Sequence, residues 1–158
     1  MPSVEAGDPA PSFELEDHAG KRVRLDDLRG RWVVLYWYPK DDTPGCTTEA
    51  CEFRDNWKTV SAEAEVYGVS PDSVKSHEKF RAKFQLPFPL LADDGHATAE
   101  SYGVWALKKF MGREYMGVER TTFIIAPDGK VARVFRKVKP AGHAGEVRDA
   151  LAELKGKG

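Results

Sequence analysis

Trp32-Val33-Val34-Leu35-Tyr36-Trp37-Tyr38 is an unbroken run of β-branched, aliphatic and aromatic residues. A half-solvated strand would alternate with polar residues, so this run reads as a strand buried on both faces, at the centre of a sheet. Directly after it comes Pro39-Lys40-Asp41-Asp42-Thr43-Pro44-Gly45-Cys46-Thr47-Thr48-Glu49-Ala50-Cys51, in which a Thr-Pro-Gly turn opens a second element. Cys46, Ala50, Phe53, Trp57 and Val60 then recur at helical spacing, which predicts one helix from about residue 46 to residue 63. A buried strand feeding a helix is the first half of a crossover, and the rest of the chain is read outward from it.

Upstream, residues 13–16 and 22–25 alternate around His18-Ala19-Gly20-Lys21 and predict an N-terminal hairpin. Downstream, residues 65–70 read as a strand. Residues 73–84 read as a helix with Val74, His77, Phe80 and Phe84 on one side. Pro87-Phe88-Pro89-Leu90-Leu91 reads as a short strand entered through prolines, and residues 98–102 as a weak helix. Residues 121–126 and 131–136 flank Pro127-Asp128-Gly129-Lys130, where Asp-Gly readily takes the positive φ of a tight hairpin. A helix over residues 145–154 closes the pattern. This order predicts an α/β fold: a mixed sheet with helices on both faces, its early strands parallel and joined by right-handed crossovers. Strand order stays open. No repeat, low-complexity tract or long linker interrupts the 158 residues, so residues 1–158 read as one domain.

Charged residues make up 31% of the chain and nearly cancel, to a formal net charge of −1. No global field therefore draws in nucleic acid or an anionic membrane, and Lys108-Lys109 beside Trp105 and Phe110 is too little for a nucleic-acid surface. The apolar run at residues 32–38 is far shorter than a membrane span, and the first residues lack a basic region followed by an apolar stretch. The expectation is a soluble, cytoplasmic protein. His18, His77, His96 and His143 are dispersed without metal-ligand spacing or a carboxylate partner pattern, and read as solvated or core-edge histidines. Gly112 and Gly117 form no dinucleotide loop, so neither metal nor cofactor is expected. The chain has two cysteines, too few for a disulfide-built fold or a four-cysteine zinc site. A close pair in a reducing compartment points instead to catalysis or redox sensing.

Cys46 falls at the first turn of the predicted helix, near unpaired N–H groups and the positive end of the helix dipole, a setting that favours thiolate. Thr43 reads as a residue at a helix start whose hydroxyl either accepts from a helix N–H or faces the thiolate. Pro39, with no N–H and a fixed φ, stiffens the loop. Glu49 lies one turn beyond Cys46, a carboxylate suited to the helix start.

The run from Tyr38 to Cys51, with its Pro-x-x-x-Thr-x-x-Cys, resembles the active-site segment of the peroxiredoxins, in the bacterioferritin comigratory protein or Q-type branch. The resemblance implies a thioredoxin-like fold, with the N-terminal hairpin and residues 88–117 as elaborations. It implies a thiol peroxidase acting on hydrogen peroxide and organic hydroperoxides. Cys46 is then the attacking thiol. Arg120, just before the strand that enters the last hairpin, matches the family's arginine, which stabilises thiolate and holds the peroxide oxygens. Thr43 would contact sulfur and peroxide, Pro39 would shield the thiolate, and Glu49 would belong to the polar frame of the arginine. Independently of the resemblance, the apolar character of Trp105, Phe110, Met111 and Tyr115 reads as the rim of the thiol pocket or a surface for partners.

Cys51, the other thiol in the chain, would trap the Cys46 sulfenic acid as a disulfide, recycled by thioredoxin or a glutaredoxin-like donor. On a regular helix, residues five apart have Cα atoms roughly 8.6 Å distant. A disulfide needs about 4.4–6.8 Å, so the helix must unwind to form one. The expected state is a monomer or weak homodimer. Two other functions compete: a thioredoxin-type thiol–disulfide oxidoreductase, which the absent Cys-x-x-Cys disfavours, and a redox-switched chaperone binding through exposed aromatics.

Overall fold

The computed structural model describes residues 4–156. In chain order its strands are β1 (Glu14–Asp17), β2 (Arg22–Arg24), β3 (Val33–Trp37), β4 (Glu65–Ser70), β5 (Leu90–Ala92), β6 (Trp105–Phe110), β7 (Arg113–Val118), β8 (Thr121–Ile125) and β9 (Val131–Phe135). Its helices are α1 (Pro44–Asp55), α2 (Trp57–Glu63), α3 (Val74–Phe84), α4 (Ala97–Ser101) and α5 (His143–Gly156), with a 3-10 turn over Leu25–Leu28.

Seven strands form one sheet in the order β2-β1-β5-β4-β3-β8-β9, and β6 pairs with β7 apart from it. β3 runs parallel to β4 and β4 parallel to β5, while β8 lies antiparallel to β3. The unit β3-α1-α2-β4-α3-β8-β9-α5, with sheet order β4-β3-β8-β9, is thioredoxin-like. All five residues of β3 are buried. Its two faces go to different cores, as the alternation of side chains along a strand requires. Val34, Tyr36 and Tyr38 face Ala50, Phe53 and Val60 of the α1–α2 segment and Val147 and Leu151 of α5. Val33, Leu35 and Trp37 face Leu25, Leu28, Ala99 and Tyr102.

The antiparallel pairing of β3 with β8 sets Trp37 opposite Thr121, and the parallel pairing with β4 sets Trp37 opposite Val69. The loop leaving β3, the residue entering β8 and the end of β4 therefore meet at one edge of the sheet. Ligand sites in open sheets gather at such carboxyl ends.

The helix expected over residues 46–63 is two. α1 starts at Pro44, which suits a first helical position because its missing N–H would have no partner there. It stops at Asn56, whose side-chain Nδ2 donates to the Glu52 carbonyl and whose Oδ1 accepts from Arg148. An Asn that bonds the main chain in this way competes with helix continuation. The strand expected at residues 87–91 begins only at Leu90, since Pro87 and Pro89 have no N–H to give a ladder. The β6–β7 hairpin carries no turn signature in the sequence. Its turn, Met111-Gly112, has φ of +51° and +78°, and the Met-Gly pair lacks the Asn or Asp that signals such a turn in sequence. No helix among the described residues is long and apolar enough to cross a membrane.

Candidate active site

Cys46 is the third residue of α1, 1% exposed, and its thiol is free. Arg120 reaches it from the residue before β8: Nη2 lies 3.4 Å from Sγ, and Nη1 donates to Glu49 Oε1 at 2.8 Å. The guanidinium thus spans a thiol and a carboxylate on adjacent turns of α1, a two-pronged contact that a lysine cannot copy. Gly45 makes room for it. A Cβ there would stand 3.0 Å from Arg120 Nη2 and 3.4 Å from Pro140 Cγ, so a side chain would make the guanidinium give by a few tenths of an ångström.

Glu49 is fully buried, and only one of its oxygens has a partner; Oε2 meets no donor. Burial pushes its carboxyl up from 4.5 to about 7, against the pull of Arg120, whose charge and hydrogen bond act downward. Desolvation wins because Arg120 serves one oxygen and leaves the other dry. Arg120 is itself held charged by the facing Cys46 and Glu49, although burial acts the other way.

The remaining expected residues are placed less directly. Thr43 has the extended conformation of an N-cap but makes no side-chain cap; its hydroxyl donates to the Lys40 carbonyl at 2.9 Å. That bond closes the loop before Cys46, and of the two expected roles the cap to a helix N–H is not made. Pro39 is half-buried at the end of β3. Cys51 is half-buried on the same regular helix as Cys46, five residues on, and also free.

Of the residues expected to rim the pocket or face partners, Trp105 is packed inward. Trp105 stacks on His96, with ring centroids 3.8 Å apart and planes 4° from parallel, and packs against the second core. Met111 and Tyr115 are exposed on the β6–β7 hairpin, at 86% and 47%. The side chain of Phe110 lies outside the described residues. What the hairpin does send toward the site is Lys108, whose Nζ donates to the Val118 carbonyl and whose pKa is lowered by burial and then by the charge of Arg120. A lysine in a charged strand carries no sequence mark of that placement.

The histidine reading is corrected. His77 and His143 are fully buried, and each has a carboxylate partner, Asp41 at 2.7 Å and Glu146 at 3.2 Å. His143 Nε2 lies 2.8 Å from Thr122 Oγ1, its ring is edge-on to Phe53, and burial holds its pKa down. Asp41, Asp72 and His77 bring ligand-type atoms within 4.8 Å of one another. Protein donors already satisfy both Asp41 oxygens, so these atoms form a hydrogen-bonded cluster.

Residues 6–134 match the model of the AhpC/TSA family. The chain is 48% identical over 153 residues to the peroxiredoxin Bcp of Bacillus subtilis, covering 96% of this chain and 98% of that one. It is 42% identical over 154 residues to the peroxiredoxin Bcp of Escherichia coli K12, covering 97% and 99%. Among solved structures it is similar to the Xanthomonas campestris bacterioferritin comigratory protein, studied for alkyl peroxide reduction, with a TM-score of 0.89, 39% identity and coverage of 95% and 99%. A PrxQ mutant of Xylella fastidiosa superposes with a TM-score of 0.92 at 35% identity, covering 98% and 99%.

Proposed function

Because this chain belongs to the AhpC/TSA family and is a peroxiredoxin of the Bcp kind, we propose that Cys46 is its peroxidatic thiol and Cys51 its resolving thiol. The substrates are hydrogen peroxide and organic hydroperoxides. One observation carries the assignment: the Arg120 guanidinium lies against Cys46 Sγ, braced from behind by Glu49.

In the first step the Cys46 thiolate attacks one peroxide oxygen in line with the O–O bond. That bond breaks, its electron pair passes to the distal oxygen, and water or alcohol leaves once that oxygen is protonated. Arg120 and the N–H groups at the start of α1 stabilise the charge as it moves, and Pro39 and Thr43 bound the space in which the peroxide lies. Cys46, 1% exposed, admits a small peroxide far more readily than a protein disulfide, which favours this reading over a thioredoxin-type exchange. In the second step Cys51 sulfur displaces hydroxide from the Cys46 sulfenic acid, giving the disulfide and water. A thiol reductant closes the cycle, and thioredoxin or a glutaredoxin-like protein fits that role. We take residues 1–158 to act as one cytoplasmic domain, monomeric or weakly dimeric.

The test is stopped-flow tryptophan fluorescence of reduced protein mixed with hydrogen peroxide, alongside peroxide consumption. Wild-type protein should react and Cys46→Ser should not, because an alcohol is a far weaker nucleophile than a thiolate. Unchanged turnover in Cys46→Ser would move the role to Cys51.

A further inference from the structure

A buried polar cluster at the loop leading into Cys46 has no part in the chemistry above. Asp41 is 7% exposed. Its Oδ1 accepts from the Tyr38 hydroxyl at 2.6 Å, and its Oδ2 accepts from the Ser76 hydroxyl at 2.7 Å and lies 2.7 Å from His77 Nδ1. The Asp41 backbone N–H donates to Asp72 Oδ2 at 2.8 Å, which also accepts from the Ser70 hydroxyl at 2.7 Å. His77 Nε2 is 2.8 Å from the Leu91 carbonyl oxygen. A carbonyl can only accept, so Nε2 carries a proton, and the Nδ1–Oδ2 bond holds one more. Wherever that second proton sits, the pair is neutral overall and fully hydrogen-bonded, which lets it remain in the core.

Four elements thus grip one loop residue: Tyr38 at the end of β3, Ser70 and Asp72 at the end of β4, Ser76 and His77 on α3, and Leu91 of β5 through His77. The grip holds a bent loop. Asp42, the next residue, has φ +56° and pairs with Lys83 at 2.7 Å, and Thr43 bonds back to Lys40. A non-glycine residue in the left-handed region persists where its surroundings over-determine it. Cys46 and Glu49 are fastened separately, by Arg120 from the β8 side. The loop that carries Pro39 and Thr43 and the helix that carries Cys46 therefore have independent supports.

We propose that Asp41, clamped by His77, is a positioning residue for peroxide reduction, holding Pro39 and Thr43 against Cys46 and serving as the fixed end from which α1 unwinds and rewinds. The inference rests on the two-cysteine reading above. Without the clamp the thiolate keeps its stabilisers, but the loop bounding the peroxide drifts.

The experiment compares Asp41→Ala and Asp41→Asn with wild type in two assays on the reduced full chain: the rate of Cys46 oxidation by hydrogen peroxide, and the pH profile of Cys46 alkylation by iodoacetamide, resolved by mass spectrometry. Asp41→Ala should slow peroxide oxidation about 10- to 100-fold, the cost of misplacing groups near a reacting atom by about 1 Å. Its alkylation profile should match wild type, because Arg120 and the helix start are untouched. Asp41→Asn should recover the rate to within about threefold, since the amide nitrogen can donate to His77 Nδ1 and to the Ser76 oxygen while the amide oxygen still accepts from Tyr38.

A wild-type oxidation rate in Asp41→Ala, or an alkylation profile that shifts together with that rate, overturns the proposal. So does a loss in Asp41→Asn as deep as in Asp41→Ala, which would make charge the agent. If Asp41→Ala fails to fold, Tyr38→Phe with Ser76→Ala removes two of the donors instead. That variant should be slower at least about fivefold, and a wild-type rate there overturns the idea equally. If wild-type protein itself does not react with peroxide, it is the assigned function that fails.

Discussion

Glu49→Gln separates the buried carboxyl's charge from its shape. The amide carbonyl can still accept from Arg120 Nη1, and the side chain fills the same space, but it cannot ionise. In the wild-type fold burial raises Glu49 from 4.5 to about 7. A carboxyl whose folded pKa lies above its unfolded value binds its proton more tightly in the folded state. The stability it contributes is therefore complete below pH 4.5 and is lost as pH rises through about 7. The whole interval is worth about 3 kcal/mol, most of which falls between pH 5 and pH 8. Groups remote from the Arg120–Glu49 pair titrate alike in the two proteins, so the difference between them reports that pair. Urea unfolding of both reduced proteins at pH 5 and pH 8 should show the variant gaining roughly 2 to 3 kcal/mol on wild type over that range. Parallel curves would refute the argument, because Glu49 would then carry its charge in the fold at no greater cost than in the unfolded chain.

Cys51→Ser should leave the first oxidation of Cys46 intact, abolish turnover with a thioredoxin donor and drive Cys46 more readily to sulfinic acid under excess peroxide. Mass spectrometry and coupled turnover read both, and sustained turnover would end the two-cysteine cycle. Arg120→Lys keeps a positive charge but loses the planar fork that reaches Cys46 and Glu49 together. Peroxide oxidation should slow by about 100-fold, the typical cost of losing one preorganised donor, and wild-type kinetics would remove Arg120 from the site. Disulfide formation should melt α1, since two residues five apart on a regular helix lie outside bonding range. Hydrogen exchange should quicken over residues 43–53 on oxidation, while residues 38–41 stay protected by the Asp41 clamp. Unchanged protection of residues 46–53 would contradict the unwinding step.

The expected unwinding also sets a use for Phe53. Its ring is fully buried, stacked on Tyr36 at 4.8 Å and edge-on to Phe88 and His143. A residue so packed anchors the far end of the segment, since removing such a ring costs about 3–5 kcal/mol.

What the sequence determined by itself was local or periodic. The buried run of β3, the hairpins at either end, the apolar stripe through Cys46, Ala50 and Phe53, and the Thr-Pro-Gly start of α1 each follow from neighbours within a turn or a strand. The position of Cys46 at a helix start was legible for the same reason. The pairing of β3 with both β4 and β8 was decided only by the tertiary structure, and with it the placing of Arg120 against a cysteine 74 residues away. No local rule speaks to that distance. The histidines show the same division from the other side. Residues 41 and 77 lie 36 apart, so a search for close ligand spacing passes over them, and His77 reads as an ordinary helix residue. Folding buries both and pairs them at 2.7 Å, because an ionisable group taken out of water needs a partner and the loop after β3 supplies one. Glu49 likewise reads as a carboxylate near a helix start, and only the tertiary structure buries it completely. Its raised pKa belongs to that enclosure, which sequence spacing does not encode.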